Sequence, residues 1–553
     1  MDDSKRTDEP IMVQPANHGD SDCTPGHMDT QSDRFGHVER RLKSRHIQFM
    51  ALGGAIGTSL FLGIGSSLST AGPANLLLGF AVSGLAVYGM MLSLGEMTTW
   101  LPIPGGIPTF CSRYVDDALG FAVGWNNWYF ASIVVCLEIS AASVVIDYWP
   151  GAQGVSPAVW ITIIIIFIIV LNVSAVGIFG EAEFVFTCIK LIAIIGLMIL
   201  SVVIMAGGAP NHEAIGFKYW SNPGDLAMNE LSPATGADGR FLAFFSVLVY
   251  ACFTYAGVEM LAAAGGETQN PRVNMPIAFR RVAHRIVGFY VFGTLFVGCI
   301  VASNDPNLLT ALAQNASGAA ESPWVIGIQN AGITVLPSII NAVILTSAVS
   351  SANAMLYTGS RYLYSLAQVG QAPRVLLHCT KKGVPLWCVL VTASISLLTY
   401  MTVSVAGSTV FLWFANLTTV ASLITWMSIC YAFTRFRAAL HAQGMSTENI
   451  WFRSPFQPYL AWTCLIFFAI VSFFNGFSVF MKGNWSVSSF LVAYIGFPIF
   501  GAFYISWKII KRTRVHPLGD VDLVTGKAEI DALDGDSGTE HPKTMLSSLA
   551  KLV

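Results

Sequence analysis

The sequence predicts an all-α polytopic membrane protein, and three observations predict it. Of its 553 residues, 54% are hydrophobic and only 11% charged, against about 25% charged in an ordinary soluble domain. Apolar runs recur from near residue 47 to near residue 510, each of about 20 residues and long enough to cross a hydrocarbon core of about 30 Å as a helix. Lys and Arg divide unevenly between the loops that join these runs. The pattern excludes a soluble enzyme, a nucleic-acid binder and a disordered scaffold. It also excludes a membrane β-barrel, whose strands would be about 10 residues of alternating polarity. The net charge of −2 points to no polyanionic partner. The ten cysteines are scattered without a Cys-x-x-Cys pair, so neither a disulfide framework nor a metal site is expected.

Twelve spans follow in order. The first six are residues 47–70, 75–100, 119–149, 157–176, 182–206 and 241–264. The second six are 282–301, 335–366, 385–405, 409–433, 459–480 and 490–510. No cleavable signal peptide precedes them, since the first forty residues are polar, and the first span is expected to target the chain. With both termini cytoplasmic, the inner flanks hold 21 Lys and Arg residues, among them Arg34, Arg113, Arg285, Arg361 and Lys508; the outer loops hold three, Lys218, Arg240 and Lys482. Such a bias fixes orientation. Residues 1–45 are expected to be a disordered cytoplasmic tail, rich in Asp, Pro, Gly and Ser in its first 33 residues. Residues 46–511 form the transmembrane domain. Residues 512–553 form a second cytoplasmic tail, expected to resemble the first beyond Pro517. Asn315 and Asn484 carry Asn-x-Ser/Thr motifs in predicted outer loops.

Two spans contain backbone breaks. In a bilayer every backbone polar group must be paired within the protein, so glycine clusters inside a span need a reason. The first span holds Gly53, Gly54 and Gly57 within Gly53-Gly54-Ala55-Ile56-Gly57-Thr58-Ser59. The sixth holds Phe253-Thr254-Tyr255-Ala256-Gly257-Val258-Glu259. Close helix packing through small residues is the alternative for either alone. Their corresponding positions in two five-span halves point instead to an inverted-repeat transporter with its site at the midplane. A broken helix offers unpaired N–H groups where its second half begins and unpaired C=O groups where its first half ends. The former suit a carboxylate and the latter an ammonium. Amides near Ile56 to Ser59 would therefore take an α-carboxylate. Carbonyls near Gly53, Gly54 and Phe253 to Ala256 would take an amine, with the Phe253 ring as a cover or as simple packing.

Three ionisable residues lie deep in the spans, where charge is expensive and usually functional. Lys190 lies eight or so residues into the fifth span, about 12 Å deep at 1.5 Å per residue, too deep for its stem to reach water. It is a candidate for proton coupling, or for a structural pair with a carboxylate. Glu138 lies at mid-depth in the third span and is a candidate for contact with a substrate amine or for pairing with another span. Glu259 follows the sixth-span break and is a candidate to carry a proton or to hold the break open. Glu96 and Glu267 read as helix-end contacts. Thr346, Ser350, Asn353, Asn416 and Thr418 are weaker candidates, equally explained by helix–helix hydrogen bonds.

The run Ala51-Leu52-Gly53-Gly54-Ala55-Ile56-Gly57-Thr58-Ser59-Leu60-Phe61-Leu62-Gly63 resembles the first-span signature of fungal amino acid permeases, within the amino acid–polyamine–organocation superfamily. Gly95-Glu96-Met97, Gly180-Glu181-Ala182-Glu183-Phe184, Ile189-Lys190, Gly266-Glu267-Thr268-Gln269-Asn270-Pro271-Arg272 and Ser360-Arg361-Tyr362-Leu363-Tyr364 match in order, over about residues 40–515. The resemblance implies two inverted five-helix repeats plus two C-terminal helices, with helices 1 and 6 discontinuous. It implies proton-coupled amino acid import across the plasma membrane, with the proton gradient as driving ion and no cofactor. By similarity Lys190 sits where sodium-coupled members hold an ion, Phe253 is an aromatic gate, and Glu259 ends the unwound segment. Ubiquitin ligase adaptors acting at the tails are implied as partners, with Lys5 and Lys43 as acceptors. The sequence departs from the family at Pro102-Ile103-Pro104-Gly105-Gly106-Ile107-Pro108 and at Val258, where a hydroxyl is common. This leaves transport of polyamines or carnitine-type cations as a rival, with Glu138, Glu259, Tyr255 and Trp128 as its acidic and aromatic residues. A non-transporting nutrient sensor is the second rival.

Overall fold

The computed structural model describes residues 57–525 and 527, except 102–104, 153, 175, 222–227, 268–270, 314–321, 381–382, 406 and 447–451; for 176–178, 263–267 and 271–274 it describes the backbone alone. The expectations for residues 1–56, Gly53, Gly54, Ala55, Ile56, Lys5 and Lys43 among them, and for Asn315 lie outside the described residues.

The described chain is all helical. In order come α1 (Ile64–Trp100), α2 (Ile107–Tyr114), α3 (Asp117–Ile146), α4 (Pro157–Val173), α5 (Val176–Met205) and α6 (Gly236–Tyr255). After a 3-10 segment, Val258–Glu267, follow α7 (Pro271–Arg285), α8 (Phe292–Ile300), α9 (Pro306–Ala313), α10 (Pro323–Asn330), α11 (Leu336–Gln368), α12 (Leu386–Ile395) and α13 (Gly407–Ala442). Last are α14 (Tyr459–Phe474), α15 (Val487–Tyr494) and α16 (Gly496–Lys511). Among the described residues, 9 helices are long and apolar enough to span a membrane, or 10 with the bent pair α15–α16. The expected twelve include two segments that fall short of this test: 47–70, whose residues 47–56 lie outside the described residues, and α4, with 17 residues. Helix α1 carries the end of the first expected span and the whole of the second, merged across a kink at Gly72 and Pro73.

Apolar side chains point outward where lipid would lie. Helix α5 exposes Ile192, Ile195, Ile199 and Val202, and α4 exposes Ile163, Ile166, Phe167 and Val170. Apolar surface on this scale is incompatible with a water-facing exterior, and the chain is an integral membrane protein. Inside, the helices fall into two packing neighbourhoods. Helix α1 packs chiefly on α6, α7 and α8, whereas α3 packs on α11 and α13.

One end of the bundle carries most loop arginines and lysines and is here the basic end. Its hydrogen bonds are dense. Glu96, at the end of α1, is fully buried and binds Arg437 Nε at 2.6 Å and Ser454 Oγ at 2.7 Å. Asp116 caps α3 by accepting the Ala118 amide at 2.9 Å, and Lys508 reaches its other oxygen at 2.9 Å. Arg285, counted among the loop cations from its place near Arg280 and Arg281, is instead 1% exposed and donates to Tyr290 Oη at 2.9 Å. The neighbouring arginines disguised it as a flank residue.

Residues 518–525 also depart from the expectation of a disordered tail, whereas 526 and 528–553 lie outside the described residues. Residues 515–525 lie as a strap across the basic end, with Val521 and Leu523 buried in the main apolar cluster. Trp100 Nε1 donates to Leu523 O at 2.9 Å, Gln443 Nε2 to Val521 O at 2.7 Å, and Arg435 donates to His516 O. The strap therefore joins the end of α1 to the end of α13. Two apolar residues spaced by one, in an otherwise polar stretch, leave little periodic signal, which is why sequence reasoning missed the docking.

Burial raises the Asp522 carboxyl, but the amides of Thr525 and Val524 and the Arg113 guanidinium, 3.5 Å away, outweigh it and hold the group below the usual aspartate range. A depressed folded value stabilises above the unfolded value, and that stability disappears as pH falls through the folded one. Asp522→Asn is thus expected to lower the melting temperature at pH 7 by about 1–2 °C, the scale of a part-exposed pair. The difference from wild type should disappear as pH falls below the usual aspartate range. Trypsin cleavage at Arg514 should accelerate in the variant at neutral pH; equal cleavage rates would contradict the strap.

Candidate functional site

Residues 57–63 form turns and no helix before α1 begins at Ile64. This is the described part of the first-span break, and its backbone groups are paired from elsewhere. Thr58 N donates to Glu138 Oε1 at 3.4 Å, and Thr58 Oγ1 donates to Glu138 Oε2 at 3.0 Å. Ser347 Oγ donates to Gly57 O at 3.4 Å. Tyr250 Oη donates to Ser59 O at 2.6 Å, Trp324 Nε1 to Leu60 O at 3.3 Å, and Ser322 Oγ to Phe61 O at 2.6 Å. Thr58 O accepts the amides of Phe61 and Leu62 at 3.0 and 2.9 Å. Side chains of α3, α6, α10 and α11 and the residue before α10 thus replace the missing helical bonds, as a low-dielectric interior requires. Gly57 is required by proximity, because a Cβ there would fall on the Glu138 carboxylate.

The sixth-span break is built differently. Helix α6 ends at Tyr255, Ala256 turns out to ψ 143°, and Gly257 takes φ 91°, a left-handed value that favours glycine. The Glu259 side chain turns back and accepts the Gly257 amide at 3.1 Å. Ala256 N donates to Phe253 O at 3.1 Å, and Met260 N to Gly257 O at 3.2 Å. Glu259 is 2% exposed and serves its own break.

Between the breaks lies a cavity of about 20 Å³, lined by Gly57, Ser59, Glu138 and Ser351 on one side and Phe253, Thr254 and Ala256 on the other. Thr418, Phe130, Val134, Leu137 and Met355 complete it. Its volume suits a single water molecule. A second cavity, of about 470 Å³, lies toward the end opposite the basic one and is lined by Gly63, Ser67, Tyr250, Phe411 and Asn416. Phe253 lines both cavities and partitions them. Its ring packs against Tyr250 and Phe411 at centroid distances of 5.8 and 6.4 Å.

Behind Glu138 lies a buried charge cluster. Lys190 is fully buried, with Glu183, Glu138 and Arg285 as its charged neighbours. Glu183 is 1% exposed, and both its oxygens accept Ser350 Oγ, at 3.0 and 3.1 Å.

The structure thus brings Thr58, Ser59, Glu138, Phe253, Thr254 and Ala256 to one place. It turns two of the aromatic candidates elsewhere. Tyr255 Oη donates to Phe80 O at 3.0 Å, and Trp128 Nε1 donates to Thr392 Oγ1 at 3.1 Å. Sequence reasoning missed Tyr250, Ser351 and Glu183 as site residues. Glu183 had a usable signal, since it sits seven residues before Lys190 and shares its helix face. Tyr250 and Ser351 had none. Asn353 accepts Asn172 Nδ2 at 2.9 Å, a helix–helix bond.

The sequence profile of the amino acid permease family matches residues 46–518. The chain belongs to that family. The permease is 42% identical over 526 residues to a proline-specific permease of Emericella nidulans, covering 94% of each chain. It is 42% identical over 503 residues to a proline-specific permease of Saccharomyces cerevisiae, covering 89% of this chain and 79% of that one. A lysine-specific permease of the same yeast is 39% identical over 510 residues, covering 92% and 82%. The permease is an amino acid transporter.

Gly57→Ala drives a methyl group onto the Glu138 carboxylate. Amino acid uptake is expected to fall at least about tenfold, an effect of 1.4 kcal/mol or more, while a fluorescently tagged variant still reaches the membrane. Uptake within about twofold of wild type, a difference below 0.5 kcal/mol, would contradict this reading of the break.

Proposed function

We propose that the permease imports L-proline together with protons across the plasma membrane by alternating access, with both termini cytoplasmic, and that it catalyses no chemical conversion. The observation that carries this reading is the Glu138 carboxylate seated on the Thr58 amide. That amide belongs to the group of N–H donors a substrate α-carboxylate would use. Ionised Glu138 and the substrate therefore compete for one donor, and two carboxylates at one site repel. A proton on Glu138 removes the repulsion and releases the amide. Substrate binding then requires the proton, which is symport. Lys190, behind Glu138, supplies the positive charge that holds the empty site.

Proline fits the remaining wall. Phe130, Val134, Leu137 and Met355 offer apolar contact and no charge for a basic or acidic side chain. A secondary ammonium has two N–H donors, one fewer than other amino acids, so fewer freed carbonyls are needed. The 42% identical relatives from Emericella nidulans and Saccharomyces cerevisiae are proline-specific permeases, which supports the same substrate. With the basic end cytoplasmic, the larger cavity faces outward, and Phe253 separates outside from site. Rotation of the Phe253 ring admits substrate; rearrangement of the two packing neighbourhoods then exposes the site inward. The rival cation reading draws on Trp128 and Tyr255, and both are turned away from the site.

The test is uptake in fungal cells lacking their own permeases, with labelled proline, lysine, glutamate, carnitine and spermidine, at external pH 5 and 7.5. Proline uptake is expected to lead the panel and to fall at least about fivefold at the higher pH, while Glu138→Gln, permanently neutral, loses that dependence. Preference for carnitine or spermidine, or pH-independent proline uptake by wild type, would contradict the proposal.

A further inference from the structure

We propose that Glu183 is the group to which Lys190 passes the transported proton on its way to the cytoplasm. This rests on the proton-coupled reading above.

Glu138 and Glu183 are the two carboxylates that act on the buried Lys190. Glu138 touches the cavity, whereas Glu183 is absent from its walls. Adjacent residues of α11 serve the two carboxylates: Ser351 stands beside Gly57 and Glu138, and Ser350 binds Glu183. Lys190 and Glu183 are seven residues apart on α5, two turns along one face. A helical side chain leans toward the N-terminus of its helix, which carries the Lys190 ammonium toward Glu183. Glu183, Glu138 and Arg285 are the charged groups around Lys190. Neither α4 nor α8, both packed on α5, has a charged residue in its sequence. Neutral partners such as Ser350 and Asn353 would be a poor reason to bury a carboxylate, because a neutral residue would meet them at less desolvation cost.

Four residues before Glu183, the Phe179 ring stacks on Tyr357 with centroids 4.1 Å apart, and Arg361 lies 4.1 Å above the Tyr357 ring. Phe179 and Tyr357 are buried, so this stack covers the charge cluster on its basic-end side, while the larger cavity lies toward the far end.

The step balances. A Lys190 N–H bond breaks and a Glu183 O–H bond forms, leaving a neutral amine beside a neutral acid. Lys190 recovers a proton from the Glu138 acid, whose O–H bond breaks. Glu183 loses its proton to cytoplasmic water once the ring stack parts. One proton enters and one leaves.

The experiment uses the full-length permease in liposomes with labelled L-proline, comparing counterflow at equal pH with accumulation driven by an imposed pH gradient. Counterflow exchanges proline without net proton release, so Glu183→Gln should keep it within about twofold while accumulation falls at least about tenfold, 1.4 kcal/mol or more. Glu183→Asp, which keeps the titrating group, should restore at least about a third of the accumulation, within 0.7 kcal/mol of wild type, with a shifted pH profile. Accumulation by Glu183→Gln within about twofold of wild type would overturn the proposal. So would equal loss of counterflow and accumulation without rescue by Glu183→Asp, which marks a structural role. If wild type fails to accumulate proline on a pH gradient, the coupling reading itself falls; failure of Glu183 alone leaves wild-type accumulation intact.

Discussion

A transmembrane helix interrupted at its middle must have its freed backbone groups paired by other parts of the protein. No water is present in the bilayer core, and each unpaired group costs several kcal/mol. In this permease the constraint falls on residues 57–63. Glu138, Tyr250, Ser322, Trp324 and Ser347 converge on that segment from the third, sixth and eighth spans and from the α10 region. The packing of α1 against α6, and of α3 against α11, is the arrangement that delivers those side chains. Glycine at 57 is a consequence, because the Glu138 carboxylate occupies the space of a side chain.

Tyr250, Ser322, Trp324 and Ser347 are neutral donors and make ordinary caps. Glu138 differs. A buried carboxylate requires compensation, and Lys190 supplies positive charge behind it, followed by Glu183 and Arg285. The substrate of an amino acid transporter brings a carboxylate of its own. Under the reading proposed above, the substrate carboxylate would take the place of Glu138 on the Thr58 amide, and the positive charge behind it would serve either occupant. The strap of residues 515–525 works at a distance from this chemistry, tying the end of α1 to the end of α13 while the larger cavity lies toward the opposite end.

Much of this was legible in the sequence. Apolar runs and loop charge predict a helical membrane protein because lipid imposes length and composition directly. Glycine beside polar residues in two spans marked both breaks because few other residues tolerate the backbone there, as φ 91° at Gly257 illustrates. Deep charge marked Glu138, Lys190 and Glu259. What could not be read was partnership. Tyr250 and Trp324 look like ordinary span aromatics, and only folding shows that their polar atoms cap the break. Arg285 sits among loop arginines in sequence but is buried in the structure. Tyr255 sits in the sixth-span break by sequence, yet its ring turns toward Phe80 and Tyr290. Chain position fixes where a backbone lies and leaves open which way its side chain points.

The central claim is that substrate carboxylate and Glu138 exchange places at the Thr58 amide. An experimental structure of the permease with L-proline bound, at a resolution that separates carboxylate oxygens, tests it most directly. The account predicts proline between the two breaks, its carboxylate accepting the Thr58 amide and Glu138 withdrawn from it. Proline held only in the larger cavity beyond Phe253, with the Thr58–Glu138 bond intact, would contradict it.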